Sequence, residues 1–253
     1  MQIIAGNCVL EDLETAEKTA LFLKQMSNKY KFDLIYKSSW KKDNRSSLDS
    51  WCGPGILAAC DIFSKIRKKY QVKILTDFHH VDELRTDLLD VVDIIQLPAY
   101  LCMQTDLTVA MAQTGKPINI KKGQFLHPED IDHVVKKIEK VGNDNIMITE
   151  RGTCFGYRDL VVDPRSIFIL KQMGYPVFVD IGHAVRKYGI PSRDWKRGGA
   201  KQYIPTLGRV ALALKCNLFV EVHPDPHNAK CDAATQLSFD EFELLMEELC
   251  DLI

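Results

Sequence analysis

The feature that most constrains this chain is a recurrence. A short, β-rich apolar run followed by a longer stretch of helical periodicity repeats from one end to the other. Parallel strands cannot be joined by tight turns and need a crossover, most often a helix, so this alternation predicts a parallel sheet covered by helices. Eight runs qualify as strands: 2–5, 33–37, 72–77, 91–96, 117–121, 145–149, 176–180 and 218–222. Their mean spacing of about 32 residues is that of one βα unit each, and eight units predict a closed (β/α)8 TIM barrel. No composition break or Gly/Ser linker interrupts the 253 residues, so one catalytic barrel domain is expected over 1–253. An open doubly wound sheet is the structural competitor, but no GxGxxG follows the first strand.

The helices carry recognisable faces. Ile131, Val134, Val135, Ile138 and Val141 recur at helical spacing after Pro128, a residue suited to a first turn. Ser238 and Glu241 form a capping box, followed by an apolar stripe of Phe239, Phe242, Leu245, Met246 and Leu249 that reads as core.

Thirty-three basic side chains stand against 34 acidic ones, which argues against a general nucleic-acid binder. No run approaches the roughly 20 apolar residues of a membrane span, and the first residues lack a signal-peptide pattern, so no membrane partner and a cytoplasmic location are expected. Eight scattered cysteines without a CxxC pair are expected to be reduced, most of them as core residues.

Three connections are long for a compact domain, at about 38–53, 181–202 and 223–237. Each follows the C-terminal end of a predicted strand, where barrel enzymes assemble their sites. The residues at the strand ends form a polar ring: Cys8, Lys37 with Ser39, Asp77 with His79, Gln96, Lys121, Arg151, His183 and Glu221. Cys8, His183 and Glu221, with Asp232 from the last loop, offer a thiolate, an imidazole and two carboxylates. This mixed set suits one divalent ion such as zinc, iron(II) or manganese. The His223-Pro-Asp-Pro-His227 segment looks metal-binding by composition, but its prolines oppose a helix that would align both histidines, so it reads as a turn.

Lys37, Lys42, Arg45, Lys121 and Arg151 would gather positive charge at the mouth, suited to phosphate and balanced by acids elsewhere. A cation at the end of a buried strand is costly unless an anion compensates it. The 181–202 segment adds Arg186, Lys187, Arg193, Lys196, Arg197 and Lys201 against Asp194, and reads equally as a lid over a phosphorylated substrate or as a solvated loop.

These residues fall into a recognisable set. The Lys37-Ser-Ser-Trp-Lys-Lys-Asp-Asn-Arg-Ser-Ser47 run resembles a segment of the 3-deoxy-D-manno-octulosonate 8-phosphate synthases (2-dehydro-3-deoxyphosphooctonate aldolases). Ile94-Ile-Gln-Leu-Pro-Ala99, Gln104-Thr-Asp106, Asn119-Ile-Lys-Lys-Gly-Gln-Phe125, Thr149-Glu-Arg-Gly152, Phe155-Gly-Tyr157, His223-Pro-Asp-Pro226 and Cys231-Asp232 extend the resemblance over the whole chain. It implies a homotetrameric barrel without nucleotide cofactor that condenses phosphoenolpyruvate with arabinose 5-phosphate in lipopolysaccharide (Kdo) biosynthesis. The branch that uses a metal has Cys where the other has Asn, and Cys8 places this chain in the metal-dependent branch, with Cys8, His183, Glu221 and Asp232 as ligands.

By the same resemblance Lys37, Ser39, Lys42, Gln96, Lys121 and Arg151 belong to the phosphoenolpyruvate site. Asn44, Arg45 and Ser46 belong to the aldose phosphate end, which a neighbouring subunit's arginine commonly completes. Lys42, Asp77, His79, His183 and Asp232 are the expected catalytic residues. The family's Asp-Ala-Thr-His-Ser-Val-Gln run is replaced by Asp180-Ile-Gly-His-Ala-Val-Arg186, its Ser-Gly-Gly-x-Arg run by Arg197-Gly-Gly-Ala-Lys201, and Tyr100 stands for a more usual Phe. The altered loop leaves the aldose open, with a related synthase acting on erythrose 4-phosphate as the alternative. Asn44-Arg-Ser-Ser47 opposes that alternative, because the seven-carbon enzymes carry Lys-Pro-Arg-Thr there. A noncatalytic phosphosugar-binding barrel is the remaining one, opposed by the complete ligand and cation sets.

Overall fold

A computed structural model describes residues 1–45, 47–154, 159–191 and 194–252. Eight parallel strands close on themselves in sequence order, each paired with its chain neighbours and the last with the first. They are β1 (Gln2–Gly6), β2 (Asp33–Lys37), β3 (Lys73–Asp77), β4 (Ile94–Leu97), β5 (Ile118–Lys121), β6 (Ile146–Glu150), β7 (Val177–Asp180) and β8 (Asn217–Glu221). The helices are α1 (Leu13–Tyr30), α2 (Ile56–Tyr70), α3 (Leu88–Val91), α4 (Thr105–Gln113), α5 (Ile131–Glu139), α6 (Pro164–Lys171), α7 (Ile204–Ala213) and α8 (Phe239–Leu249). This is the expected (β/α)8 barrel.

β2 falls where expected, and each other strand differs by one to three residues at one or both ends. The largest shift is at β4, because the apolar run beginning at Val91 is shared between the end of α3 and the strand. The helix after Pro128 starts as a 3-10 turn over Pro128–Asp130 and stops at Glu139, leaving Val141 outside and exposed. Ser238 caps α8 as predicted, accepting from the Glu241 amide while Glu241 accepts from the Ser238 amide. Phe242, Leu245, Met246 and Leu249 are buried, and Phe239 stacks on Phe22 at a ring separation of 4.1 Å.

Two cores follow from the strand's period of two. Ile4, Ile35, Leu75, Ile94, Phe178 and Phe219, with Met147 against them, fill the barrel interior, while the larger cluster lies between barrel and helices. Two residues beyond an interior side chain the same face reaches the C-terminal rim. Lys37 therefore follows Ile35, Asp77 follows Leu75, Gln96 follows Ile94, Asp180 follows Phe178, and Glu221 follows Phe219. The apolar plug thus aims a polar ring at the mouth.

Gly6 shows how tight the rim is. A Cβ there would lie 2.1 Å from the Lys37 carbonyl oxygen, so β1 and β2 can keep their separation only with glycine. Overpacking of this kind costs about 3 kcal/mol. Gly6→Ala is expected to lower the melting temperature by roughly 6 °C or more, as measured by calorimetry.

Candidate active site

The rim surrounds a cavity of about 720 Å³, within the usual range for small-molecule sites. Lys37, Lys42, Asn44, Arg45, Asp77, His79, Gln96, Lys121, Arg151, His183 and Asp232 all line it. Ser39 lies buried beneath, where its hydroxyl accepts from Lys37 Nζ at 3.1 Å. Ser46, and the Phe155-Gly-Tyr157 and Arg193 positions, lie outside the described residues.

Cys8, His183, Glu221 and Asp232 converge, with one ligand atom from each within 4.8 Å of all the others. Cys8 Sγ donates to Asp232 Oδ2 at 3.0 Å, and His183 Nε2 lies 3.5 Å from Glu221 Oε1. Asp180 orients the imidazole. Its Oδ1 accepts from the His183 amide, and its Oδ2 lies 2.8 Å from Nδ1, leaving Nε2 turned toward the two carboxylates. Burial, Cys231, and the charges of Asp232 and Glu221 push the Cys8 thiol well above its ordinary value. Two carboxylates and a thiol so crowded form a donor set that a divalent cation would relieve, so the residues fit the implied metal.

The buried cations do not await a ligand as expected, because protein acids sit beside them. Lys37 Nζ lies 3.3 Å from Glu221 Oε1, and Lys121 Nζ lies 2.6 Å from Asp180 Oδ2. Both ammonium groups also stand over the Phe219 ring, at 5.7 and 4.0 Å. Burial and the nearby charges of Lys37 and Arg151 depress Lys121 below the ordinary lysine value, against the pull of Asp180. The balancing acids thus lie at the mouth itself, not elsewhere. Lys42 and Arg151 are different: both are buried, and neither makes an ion pair among the described residues.

Arg151 is placed by one acid, Glu150, to which the sequence assigned no role. Glu150 Oε1 accepts from the Arg151 and Gly152 amides at 2.9 and 2.6 Å and lies 3.5 Å from the fully buried Lys122, while its other oxygen meets Ser166. Arg151 Nη1 then donates to Tyr188 Oη at 3.0 Å. Arg45 donates to Cys231 Sγ and to Asn44 Oδ1, joining the first long loop to the last. Gln96 leaves its Oε1 buried without a hydrogen-bond partner, as does Asp77 its Oδ1.

The described part of the 181–202 segment is cavity wall in its first half and solvated surface in its second. Arg197 pairs with Asp194, Lys201 with Glu241, and Lys196 stands over Trp195. Arg186 and Tyr188 instead line the cavity. The His223 segment is a turn, as expected: His223 is buried against Glu11, whereas His227 stacks on Trp195.

A profile of the DAHP synthetase I family matches residues 1–253. The chain belongs to the DAHP synthetase I family. Within it, the 2-dehydro-3-deoxyphosphooctonate aldolase of Protochlamydia amoebophila is 44% identical over 99% of this chain and 90% of its own length. Proteins of the same name from Magnetococcus marinus and Legionella pneumophila are 43% and 42% identical, each over 98% of this chain and over 86% and 89% of their own. No helix among the described residues is long and apolar enough to cross a membrane.

His79 is a base held between two carboxylates. Its Nε2 lies 3.3 Å from Asp77 Oδ2 and its Nδ1 3.6 Å from Glu83 Oε2. Burial opposes its charge, but the two carboxylates outweigh that and raise it to about 9, while Glu83 falls to about 2. Because the folded value exceeds the unfolded one, near 6.5, this stabilisation is complete below that pH and is lost as pH rises through about 9. The loss amounts to about 3 kcal/mol. Urea unfolding across pH 6–10 is expected to show it, and Glu83→Gln to reduce it by about half or more.

Proposed function

We propose that this protein condenses phosphoenolpyruvate with D-arabinose 5-phosphate and water, giving 3-deoxy-D-manno-octulosonate 8-phosphate and inorganic phosphate for lipopolysaccharide (Kdo) biosynthesis. The observation that carries this reading is one cavity lined by buried cations and by His183 and Asp232, two members of a four-residue thiol, imidazole and carboxylate cluster. The shared name of the relatives selects this synthase over one acting on erythrose 4-phosphate.

In the proposed reaction C3 of phosphoenolpyruvate bonds to C1 of the aldose, whose aldehyde oxygen takes a proton. Water adds at C2 and gives up a proton. The resulting hemiketal phosphate breaks its C2–O bond, releasing phosphate and leaving a ketone. Two phosphorylated reactants repel each other, and fixed cations offset that repulsion while holding the carbons in reacting geometry. Lys37, Ser39, Lys42, Gln96, Lys121 and Arg151 are assigned to phosphoenolpyruvate. Lys42 and Arg151, lacking carboxylate partners among the described residues, meet its anionic groups most directly. Asn44, Arg45 and Ser46 are assigned to the aldose phosphate.

His79, charged at neutral pH, is assigned the proton for the aldehyde oxygen. Asp77, with its buried and unpartnered Oδ1, is assigned the proton released by water. Cys8, His183, Glu221 and Asp232 would hold the divalent ion, with Asp180 fixing the imidazole and Lys37 beside Glu221. Bound there, a zinc, iron(II) or manganese ion would supply Lewis-acid polarisation of a substrate oxygen. No nucleotide cofactor enters the reaction. The reading places the enzyme in the cytoplasm as a homotetramer, which light scattering tests.

Phosphate release from phosphoenolpyruvate is expected with arabinose 5-phosphate well above erythrose 4-phosphate. Chelation is expected to abolish it and a divalent metal to restore it. Faster turnover of erythrose 4-phosphate, or full activity without metal, overturns the corresponding assignment. Arg151→Ala is expected to lower kcat/KM by about a hundredfold.

A further inference from the structure

Arg186 stands where the resembled family carries glutamine, and among the described basic residues of the 181–202 segment it is the one whose guanidinium reaches the ligand cluster. Its Nη1 donates to Asp232 Oδ1 at 2.5 Å, with the carboxylate side chain 4% exposed. The two oxygens of Asp232 thereby have separate duties. Oδ1 meets Arg186, whereas Oδ2 accepts from Cys8 and Cys231 and faces His183 Nε2 at 3.9 Å.

The contact is built into the backbone on both sides. Arg186 follows the single turn that carries His183, and its amide donates to the His183 carbonyl. Antiparallel pairing with Gly199 fixes the base of the segment, where Lys187 N donates to Gly198 O and Ala200 N to Val185 O. Gly199 lies so close to the final loop that a Cβ would meet Ala234 O and Thr235 Cγ2 at 2.6 Å. Opposite, Asp232 adopts a left-handed φ of 46°, and its carbonyl accepts from the Thr235 and Gln236 amides. Gln236 in turn accepts from the Cys8 amide and donates to the Cys231 carbonyl.

We propose that Arg186 is a positioning residue: by holding Oδ1 of Asp232 it presents Oδ2 to the ion and ties the loop after β7 to the ligand cluster. The inference rests on the reading that Cys8, His183, Glu221 and Asp232 hold the ion. Outer partners of metal-binding carboxylates act in this way, fixing orientation and offsetting charge. Here a guanidinium does so through one charge-assisted Nη1 bond, with a full positive charge that glutamine lacks.

The test is Co(II) titration of the full-length, metal-depleted protein against a competing chelator, followed by the thiolate-to-cobalt absorption band. Arg186→Ala is expected to weaken Co(II) binding by about 10- to 100-fold, with Arg186→Gln also losing about tenfold. A purely structural role would lower the melting temperature and leave Co(II) affinity unmoved. Either variant suffices if the other fails to fold. A loss below about threefold, or tighter binding, overturns the proposal. Cys8→Ala separates the two levels. Undiminished Co(II) binding by that variant overturns the ligand reading and the proposal together, whereas a loss there with none at Arg186 overturns the proposal alone.

Discussion

Glu221 is the carboxylate on which the mouth of this barrel depends. From the end of β8 it lies 3.3 Å from Lys37 on β2 and 3.5 Å from His183 beyond β7, so one side chain links three separate parts of the rim. All of this happens at 2% exposure for both Lys37 and Glu221. A buried ammonium or carboxylate alone costs several kcal/mol or so, and each is tolerable here because the other is present. Burial raises the Glu221 carboxyl, but His183, Lys37 and Lys42 pull it below its ordinary value and keep it an anion. Barrel closure is therefore more than a scaffold: the pairing of β8 with β1 brings Glu221 into reach of a lysine one strand further round.

The rim was legible in the sequence because the strand has a period of two. Once an apolar interior residue such as Ile35 or Phe219 is assigned, the residue two further on must share its face. Lys37, Asp77, Gln96 and Glu221 follow without any knowledge of the helices. Cys8 and Asp232 lie beyond the regular strands; the strand-end rule and their donor chemistry made them ligand candidates, and the resemblance then made them the expected ligands. The acids behind the ring were hidden for another reason. Asp180, Glu150 and Glu83 look like ordinary strand-end or turn residues, and their importance lies in pairings with Lys121, Lys122 and His79. Of these, Asp180 leaves a local signal, since a carboxylate three residues before a ligand histidine can orient it. The expectation that the balancing acids lie elsewhere failed because net charge says nothing about distance.

The charge pattern divides the cations into two classes with different consequences for an anion arriving at the site. Lys37 and Lys121 already hold carboxylates, so their attraction to a phosphate is reduced by charges that do not leave. Lys42 and Arg151 are buried with no such partner among the described residues. Lys42 is held well above the ordinary lysine value, despite burial, by its acidic surroundings, in which Asp77 and Glu221 are the carboxylates. Those charges stabilise its ammonium form without occupying its hydrogen-bond donors, which is the condition a phosphate or carboxylate ligand needs.

A further asymmetry follows from how the last two long loops meet. Gly199 permits close approach to the Ala234 backbone and Thr235 Cγ2, and Gly198 to Ala234 Cβ, nearer than an added side chain would allow. The loop after β7 is thus seated on the turn that carries Asp232, while its Tyr188 reaches over to Arg151 and Gln124. Movement of that segment would strain its contacts with a ligand candidate at one side and a phosphate-binding candidate at the other. Closely packed backbones resist continuous deformation, so the described base of the segment is held against the last loop. The substitutions of the 181–202 segment therefore lie between a ligand candidate and a phosphate-binding candidate, and leave the apolar plug and the strand-end ring intact.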